Sequence, residues 1–372
     1  MEKKRLKIIV SGGGTGGHIF PAISIANALK EIQPEVEILF VGAEGRMEME
    51  KVPTAGYKIV GLPVAGFQRS LSLKTFTFFV KLYRSMMKAR KVIKDFKPDA
   101  VVGVGGYASG PVLKTAQKRG IPTLIQEQNS YAGVTNKLLA KKAKAICVAY
   151  EGMERYFPAN KIIMTGNPVR QDLVNLDSKK DEARKYFNIP EGQKVILVLG
   201  GSLGAKTLNK SLIGYMKEIG EQQDTTLVWQ TGKLYNADIK QELAGFDAKN
   251  VRLYDFITRM DLAFSIADLI VSRAGAGTIS ELCLVGKPVI LIPSPNVAED
   301  HQTKNAQALE RKNAAIMVTD LNAPKELVPM AFELLGNKEK QSELSANIKM
   351  LALPNAARVI AEKVLELAGG RE

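Results

Sequence analysis

Cysteine and histidine are scarce in this chain of 372 residues, which contains only two of each. The two cysteines, Cys147 and Cys283, lie in separate apolar runs and are too few for a disulfide framework or a zinc-binding spacing. The sequence also lacks a D-x-D pair and any His/Cys cluster, so we expect no metal site and no bound cofactor. This cysteine usage is typical of a protein in a reducing compartment such as the cytoplasm.

Long apolar runs and two common catalytic motifs are missing as well. No segment approaches the 18 apolar residues that predict a membrane-spanning helix, and the first strand candidate directly follows a charged N-terminus. We therefore expect neither a transmembrane helix nor a signal segment. There is no G-x-x-x-x-G-K-[ST] loop and no serine nucleophile elbow, which argues against a P-loop protein and an α/β-hydrolase.

Basic residues outnumber acidic ones in the first half of the chain but not in the second. Residues 1–170 contain 27 Lys and Arg but 12 Asp and Glu, a balance of +15, whereas residues 171–372 contain 25 against 26, a balance of −1. This asymmetry indicates that the first half faces a polyanion: nucleic acid, an anionic membrane or a phosphorylated substrate. A general solubility charge is the alternative.

Short apolar strand candidates alternate with helix candidates along the whole chain, which predicts an α/β fold with parallel sheets covered on both faces. The pattern begins at Lys7–Val10 and restarts at Lys194–Leu199, each time as strand, glycine loop and helix. We therefore predict two Rossmann-like, doubly wound domains facing each other across a cleft. Their expected bounds are residues 1–166 and 167–355, with the final helix, in 356–372, completing the first domain.

The first glycine loop, Gly12–Gly17, lies between a strand candidate and a helix candidate, a layout that aims backbone amides at an anion. Its G-x-G-x-x-G spacing would also fit a dinucleotide site, but no acidic residue ends the second strand to hold a ribose. His18 directly follows the loop. A titratable base in a phosphate-type loop indicates chemistry on the bound ligand, and a purely structural turn is the alternative.

The second half contains two more loops of this kind. Gly200–Ala205 places Ser202 at a helix start, where its hydroxyl would cap the helix or bond a phosphate. Arg273–Glu281 sets small residues before a helix, with Glu281 about one turn inside it. A carboxylate there would complement the helix dipole or accept two ribose hydroxyls.

Polar residues near the expected domain boundary and near the second histidine are further ligand candidates. Arg170 ends the segment Gly166–Arg170, where its guanidinium would clamp a diphosphate, with a solvated surface arginine as the alternative. Gln302 and Asn305 follow His301 and share one helix face.

The stretch Leu71–Lys97 combines aromatic residues with a dense basic run. Phe76, Phe78 and Phe79 precede or overlap eight Lys and Arg residues. Such a segment can lie in a membrane interface, and a core helix with a solvated basic face is the alternative. No recognition motif supports binding to nucleic acid.

Seven motifs occur in an order and at spacings that closely resemble the MurG family of bacterial glycosyltransferases. They are GGGTGGH at Gly12–His18, GGYASGP at Gly105–Pro111, QEQNSYAG at Gln126–Gly133, GNPVR at Gly166–Arg170, GGSLGA at Gly200–Ala205, RAGAGTISE at Arg273–Glu281 and HQTKNA at His301–Ala306. The resemblance covers essentially the whole chain. Its one departure is Gly277, where some members have a larger apolar residue.

The resemblance implies the glycosyltransferase-B fold and an inverting transfer of N-acetylglucosamine from UDP-N-acetylglucosamine (UDP-GlcNAc). The implied acceptor is the 4-hydroxyl of lipid I, an undecaprenyl-diphosphate-linked N-acetylmuramoyl pentapeptide, and the product is lipid II of peptidoglycan synthesis. UDP-GlcNAc is then a substrate, and neither a cofactor nor a metal is implied. The expected location is the cytoplasmic face of the cell membrane, bound peripherally to an anionic inner leaflet. Nucleic acid is not an expected partner, and other cell-wall synthesis proteins remain open as partners.

By the same resemblance, His18 would act as general base, with Glu127 next in line for a catalytic role. Gly14 and Tyr107 would contact the acceptor. The donor would contact Thr15, Gly16, Gly17, Asn129, Arg170 (diphosphate), Ser202, Ile257 (uracil), Ala276, Gly277, Thr278, Ile279, Ser280, Glu281 (ribose), Gln302 and Asn305.

Three alternatives remain open at this point. The nearest is another glycosyltransferase or an epimerase of the same fold that uses a different acceptor. The other two belong to different classes: a nicotinamide oxidoreductase, and a basic membrane- or nucleic-acid-binding module without catalysis.

Overall fold

The structure, a computed structural model, describes residues 5–64, 73–169, 173, 176–201, 203–297 and 300–369, with the backbone alone at 73–77 and 79. Contacts within the chain divide it into two compact units. The first comprises Met1–Val169 with Leu353–Glu372, and the second comprises Arg170–Ala352.

Strands and helices alternate in both units. The strands are β1 (Lys7–Ser11), β2 (Glu37–Ala43), β3 (Lys58–Leu62), β4 (Ala100–Gly103), β5 (Thr123–Glu127), β6 (Ala145–Val148), β7 (Ile162–Met164), β8 (Lys194–Leu199), β9 (Thr225–Gln230), β10 (Val251–Tyr254), β11 (Leu269–Ser272), β12 (Val289–Leu291) and β13 (Ile316–Met317). The helices are α1 (Gly16–Ile32), α2 (Glu48–Thr54), α3 (Leu73–Phe96), α4 (Ser109–Lys118), α5 (Val134–Ala140), α6 (Lys180–Phe187), α7 (Lys206–Ile213), α8 (Met216–Glu221), α9 (Asn236–Leu243), α10 (Met260–Ile266), α11 (Ala276–Val285), α12 (His301–Glu310), α13 (Ala323–Gly336), α14 (Lys338–Met350) and α15 (Ala356–Gly369).

The first unit is built on a parallel sheet in the order β3-β2-β1-β4-β5-β6-β7. Strand β1 is flanked on both sides, because Ile9 lies opposite Leu39 of β2 and opposite Val101 of β4. Strands between two helical layers are buried on both faces, so they are continuous apolar runs and show no alternation of polar and apolar residues.

The C-terminal helix α15 packs in the first unit. Its residues Ile360, Ala361 and Val364 are fully buried in the same core cluster as Ile25 and Leu29 of α1. Burial of each such aliphatic side chain contributes about 1.5–3 kcal/mol relative to exposure, so this face anchors the end of the chain to the first unit.

The second unit repeats the architecture with a parallel sheet in the order β10-β9-β8-β11-β12-β13. The only tryptophan, Trp229, is fully buried on β9, and its indole N–H donates to Oδ1 of Asn209 at 3.1 Å. The predicted α/β class with two doubly wound parallel sheets is therefore confirmed.

Each unit contains one buried, unbridged cysteine. Cys147 lies on β6 of the first unit and Cys283 on α11 of the second. Burial raises the pKa of each thiol to about 12. Because the thiolate is the reactive form, both thiols are protected from modification as long as their unit stays folded.

Helix α3 is amphipathic over its second half. Ser85, Ala89 and Ile93 are buried at helical spacing, whereas the basic residues between them are mostly exposed. Phe78 is half-buried, and the side chains of Phe76 and Phe79 lie outside the described residues. Across the part of the chain that the structure describes, no helix has both the length and the apolar character needed to cross a membrane.

A buried carboxylate ties the beginning of the second unit to its core. Asp261 on α10 accepts two hydrogen bonds from the Arg259 guanidinium, both 3.0 Å, and one from Nζ of Lys179 at 2.9 Å. The Arg259 guanidinium also contacts Glu182 of α6 at 3.1 Å. Hydrogen bonding to Arg259 and Lys179 holds the pKa of Asp261 well below its usual range.

We predict that Asp261→Asn lowers the free energy of unfolding of the second unit by about 1–3 kcal/mol at pH 7. A lowered pKa in the folded state means that the unfolded state binds more protons in acid. The difference between parent and variant should therefore shrink as the pH falls below about 4, the pKa of an unfolded aspartate. Urea unfolding followed by Trp229 fluorescence measures this unit at each pH.

The matched control is Asp224→Asn, because Asp224 is an exposed aspartate that pairs with Lys194 at 3.7 Å. Its effect should stay within about 0.5 kcal/mol at every pH. A difference between Asp261→Asn and parent that is the same at pH 7 and pH 2.5 would contradict the role assigned to Asp261.

Candidate active site

Both sheets have a topological switch point beside their first strand. In the first unit, chain connections run in opposite directions from β1, towards β2 on one side and β4 on the other. In the second unit the same reversal occurs at β8, between β9 and β11. Ligands of open parallel sheets bind outside the carboxyl ends of the strands at such points. The loops that follow β1, β4, β8 and β11 therefore define a candidate site in each unit.

His18 lies in the first turn of α1, at the switch point of the first unit. Its Nδ1 is 3.1 Å from the carbonyl oxygen of Gly13 and 3.3 Å from the hydroxyl of Thr15. A carbonyl oxygen only accepts, so the geometry assigns the proton to Nδ1 and leaves the lone pair on Nε2. His18 is half-buried, and its Nε2 is on the side of Gly105.

The loop after β4 lies in close contact with the loop after β1. A Cβ at Gly105 would come within 2.9 Å of Nε2 of His18, and a Cβ at Gly106 would overlap the carbonyl oxygen of Gly13. Both glycines also have positive φ, +95° and +82°, where a side chain is strained. Gly106 lies against Gly13 of the glycine loop, which continues through Gly14, Thr15, Gly16 and Gly17, and the residue after Gly106, Tyr107, is exposed.

Glu48 is a residue of this site that the sequence analysis missed. It begins α2, is 1% exposed, and accepts hydrogen bonds from the amides of Gly14 (3.0 and 3.1 Å) and Ala43 (2.9 Å). The Gly14 amide therefore donates within the chain, whereas the sequence analysis expected the loop amides to face an anionic ligand. An acidic residue at a helix start is common, so nothing in the sequence distinguished Glu48.

Glu127 is buried at the end of β5 and orders the following loop. One carboxylate oxygen accepts from the amide of Asn129 at 3.1 Å, and the other accepts from the amide of Gly133 at 2.9 Å and from Nδ2 of Asn136 at 2.8 Å. Glu127 is 2% exposed. This geometry makes Glu127 a positioning residue for the loop and leaves His18 the stronger candidate for a base.

In the second unit, helix α11 begins directly after the loop that follows β11. Gly275 is its extended N-cap, and the first turn of any α-helix has amides without an intrahelical partner. Ala276, Gly277, Thr278, Ile279 and Ser280 form this turn, and half-buried Glu281 follows it. The helix dipole adds partial positive charge at this end, so the turn is suited to an anion.

Three predicted donor residues form hydrogen bonds near the carboxyl ends of the strands of the second unit. Asn305 is fully buried and donates to the carbonyl of Ala274 at 3.4 Å, while Oε1 of Gln302 accepts from the amide of Ser294 at 2.9 Å. Ile257 is buried, and its amide donates to Oε1 of Gln230 at 2.9 Å. Arg170 and Ser202, also predicted to bind the donor, lie outside the described residues.

Asp320 is a second residue that the sequence analysis missed. One of its carboxylate oxygens pairs with Arg273, which also donates to the carbonyl of Ile292 at 3.1 Å, and the other accepts from the hydroxyl of Thr207 at 2.7 Å. Thr207 is near the start of α7, just after the Gly200 loop. Asp320 thus links the loop after β8 to the loop after β11.

Within the described ranges, no three His, Cys, Asp or Glu side chains are grouped so that they could hold a metal ion.

Comparisons with known proteins show the family to which the chain belongs. The model of the glycosyltransferase family 28 N-terminal domain matches residues 8–148, and that of the glycosyltransferase family 28 C-terminal domain matches residues 195–362. The chain therefore belongs to glycosyltransferase family 28.

Individual relatives show which enzymes of this family the chain resembles. The chain is 59% identical over 364 residues to the UDP-N-acetylglucosamine–N-acetylmuramyl-(pentapeptide) pyrophosphoryl-undecaprenol N-acetylglucosamine transferase of Bacteroides fragilis, covering 98% of this chain and 96% of the relative. The enzyme of the same name from Bacteroides thetaiotaomicron is 58% identical over 367 residues, covering 98% and 99%. The crystal structure of Acinetobacter baumannii MurG has a TM-score of 0.77 at 29% identity, covering 97% and 99%.

These matches confirm the resemblance to the MurG family. A UDP-GlcNAc 2-epimerase from Neisseria meningitidis, with a TM-score of 0.67 at 17% identity over 97% of this chain and all of its own, shares the fold alone. The epimerase alternative is therefore not favoured.

We predict that neutral His18 has its proton on Nδ1. Long-range ¹H–¹⁵N spectra of protein labelled at histidine distinguish the two nitrogens, and a His301→Asn variant assigns the two rings. Gly105→Ala should disturb the His18 signals, because the added Cβ lies 2.9 Å from Nε2. A proton on Nε2 in the folded protein at alkaline pH would show that the Gly13 carbonyl does not select the tautomer.

Proposed function

We propose that this protein transfers N-acetylglucosamine from UDP-GlcNAc to the 4-hydroxyl of lipid I, with inversion, and so makes lipid II. The observation that supports it most directly is the ring of His18, whose Nδ1 contacts the carbonyl oxygen of Gly13 at 3.1 Å, which places the proton on Nδ1 and the basic lone pair on Nε2. The relatives named above, at 58–59% identity, bear the name of this reaction. The loops of the two units suit its two substrates differently.

The uridine diphosphate of the donor is assigned to the second unit. The first turn of α11 would bind the diphosphate through its amides, with Glu281 accepting the ribose hydroxyls. Ile257 would border the uracil, and Arg170 and Ser202 would add contacts to the diphosphate. Positive charge from the helix dipole and from Arg170 would stabilise the UDP anion as it leaves.

The acceptor is assigned to the first unit, beside His18. As the 4-hydroxyl oxygen attacks the anomeric carbon of the donor, its proton passes to Nε2 of His18. The bond between the anomeric carbon and UDP breaks, and both of its electrons leave with UDP. Attack from the face opposite UDP inverts the anomeric configuration. Thr15, Gly16 and Gly17 would line the reacting sugars, with Tyr107 and Gly14 towards the acceptor.

Peripheral binding to an anionic membrane at the cytoplasmic face is proposed for the outer face of α3. Leu82, Tyr83 and Met87 are 38%, 67% and 45% exposed, beside exposed Lys81 and Arg84. Apolar groups among basic residues suit the interface of an anionic leaflet, where an acceptor with an undecaprenyl chain is anchored. The +15 balance of residues 1–170 has the sign that this surface requires.

The first test removes the base. His18→Ala should lower turnover by about two to four orders of magnitude, measured as UDP release from UDP-GlcNAc and a soluble lipid I analogue. UDP binding should persist, because the uridine and the diphosphate are assigned to the second unit whereas His18 belongs to the first. UDP-GlcNAc should slow the thiol labelling of Cys283 more than that of Cys147, in parent and variant alike.

Glu127→Gln is the comparison for this test, because the family resemblance makes Glu127 the next candidate for the base after His18. A loss of less than tenfold in His18→Ala, together with a larger loss in Glu127→Gln, would move the base to Glu127. Absence of UDP release by the parent protein would reject the proposed reaction itself.

The second test concerns the membrane. Each basic residue near an anionic surface contributes about 1 kcal/mol, an attraction screened over about 8 Å at physiological salt. Binding of the parent to anionic vesicles should therefore weaken with salt without vanishing. Replacing Leu82, Tyr83 and Met87 by Ser should remove the salt-resistant part, while turnover of a soluble acceptor analogue stays near that of the parent.

The control replaces exposed apolar residues of the second unit, Phe246 and Met350, by Ser. It should bind vesicles like the parent. Equal binding of the parent to neutral and anionic vesicles at low salt would contradict the electrostatic part, and normal binding by the triple variant would assign α3 to the core alone.

A further inference from the structure

The side chain of Glu48 fills a space that exists because residues 13 and 42 are glycines. A Cβ at Gly13 would overlap Oε1 of Glu48, and a Cβ at Gly42 would lie 2.6 Å from its Cγ. The carboxylate is 1% exposed and is held by the amides of Gly14 and Ala43. Among the described residues, no cationic side chain pairs with it. Backbone amides are thus the groups that compensate its charge.

The amide that Glu48 holds and the carbonyl that His18 contacts belong to one peptide group. The N–H of Gly14 donates to the carboxylate at 3.0 Å, and the C=O of Gly13, across the same planar bond, accepts from Nδ1 of His18 at 3.1 Å. The N–H and C=O of a trans peptide point in opposite directions, so fixing one fixes the other. Glu48 and His18 therefore lie at the two ends of a single chain of hydrogen bonds.

This peptide would otherwise be easy to turn over. Gly13 and Gly14 have φ of +155° and +90°, and glycine permits many backbone conformations. A turned peptide would present an N–H to Nδ1 of His18 and would select the opposite tautomer, with the proton on Nε2. A carboxylate on the far side opposes this turn, because it would then face a carbonyl oxygen.

We propose that Glu48 is a positioning residue for the general base, acting on His18 through the Gly13–Gly14 peptide. The carboxylate fixes the peptide, the peptide fixes the Nδ1–H tautomer, and Nε2 is left to accept the proton of the acceptor hydroxyl. A carboxylate at one end also polarises the carbonyl at the other, which stabilises the imidazolium that forms on proton transfer. The catalytic part of this inference rests on the proposed function, whereas the tautomer part does not.

The test is Glu48→Gln, which keeps the shape of the side chain but places an NH₂ among amide donors. Turnover should fall about 10- to 100-fold, the usual effect of losing a group that orients a functional histidine. The affinity for UDP should stay within about twofold of the parent value, because the uridine and the diphosphate of the donor are assigned to the other unit. The ¹⁵N spectra should show His18 losing its preference for the Nδ1 proton.

Two further variants separate positioning from a general structural role. In the double variant Glu48→Gln with His18→Ala, turnover should be no lower than in His18→Ala alone, because Glu48 acts through the imidazole. The matched control is Glu50→Gln on the same helix, where the exposed carboxylate pairs with Lys51, and it should behave like the parent. If Glu48→Gln fails to fold, Glu48→Asp retains the charge and should show a smaller loss with the same change in the spectra.

A folded Glu48→Gln variant with parental turnover and an unchanged His18 tautomer would overturn the proposal. Additive losses in the double variant would overturn it as well. If the parent releases no UDP at all, the proposed reaction fails, and the tautomer of His18 in Glu48→Gln still decides whether Glu48 controls the imidazole.

Discussion

The first site depends on a close backbone contact between the loops that follow β1 and β4. Gly106 lies so close to the backbone of Gly13 that residue 106 does not tolerate a side chain, and Gly105 lies against the ring of His18. The parallel order of β2, β1 and β4 brings these two loops together at the switch point. The position of His18 therefore follows from glycines at fixed places in two loops that are about 90 residues apart in sequence.

The two units use similar loops for different electrostatic purposes. In the first unit the loop amides at Gly14 and Gly133 are bound by the chain's own carboxylates, Glu48 and Glu127. In the second unit the small residues at the start of α11, together with the partial positive charge of the helix dipole at that end, suit an incoming diphosphate. This contrast agrees with a division in which the first unit positions the base and the second unit binds the anionic donor.

Much of the fold could be predicted from the sequence, because buried parallel strands are continuous apolar runs and their glycine loops recur at each unit's start. The motifs also marked His18 and the α11 turn. Glu48 and Asp320 were missed because their partners, Gly14 and Arg273, are distant in sequence and meet them only in the folded chain. Nor could the spacing show that Glu127 is buried with both oxygens bonded, since burial is a property of packing.

Glu48 adds little to the stability of the fold, and its main effect is to fix the orientation of the Gly13–Gly14 peptide. Burying a carboxylate costs several kcal/mol, and each hydrogen bond to a charged group contributes about 1.5–3 kcal/mol. The amides of Gly14 and Ala43 therefore offset most of the cost but leave little net stabilisation. An apolar side chain would fill the same space without any desolvation cost, but it would leave the Gly13–Gly14 peptide free to turn. A charged group at this position has a physical consequence that an apolar one lacks: it sets which nitrogen of His18 is the base.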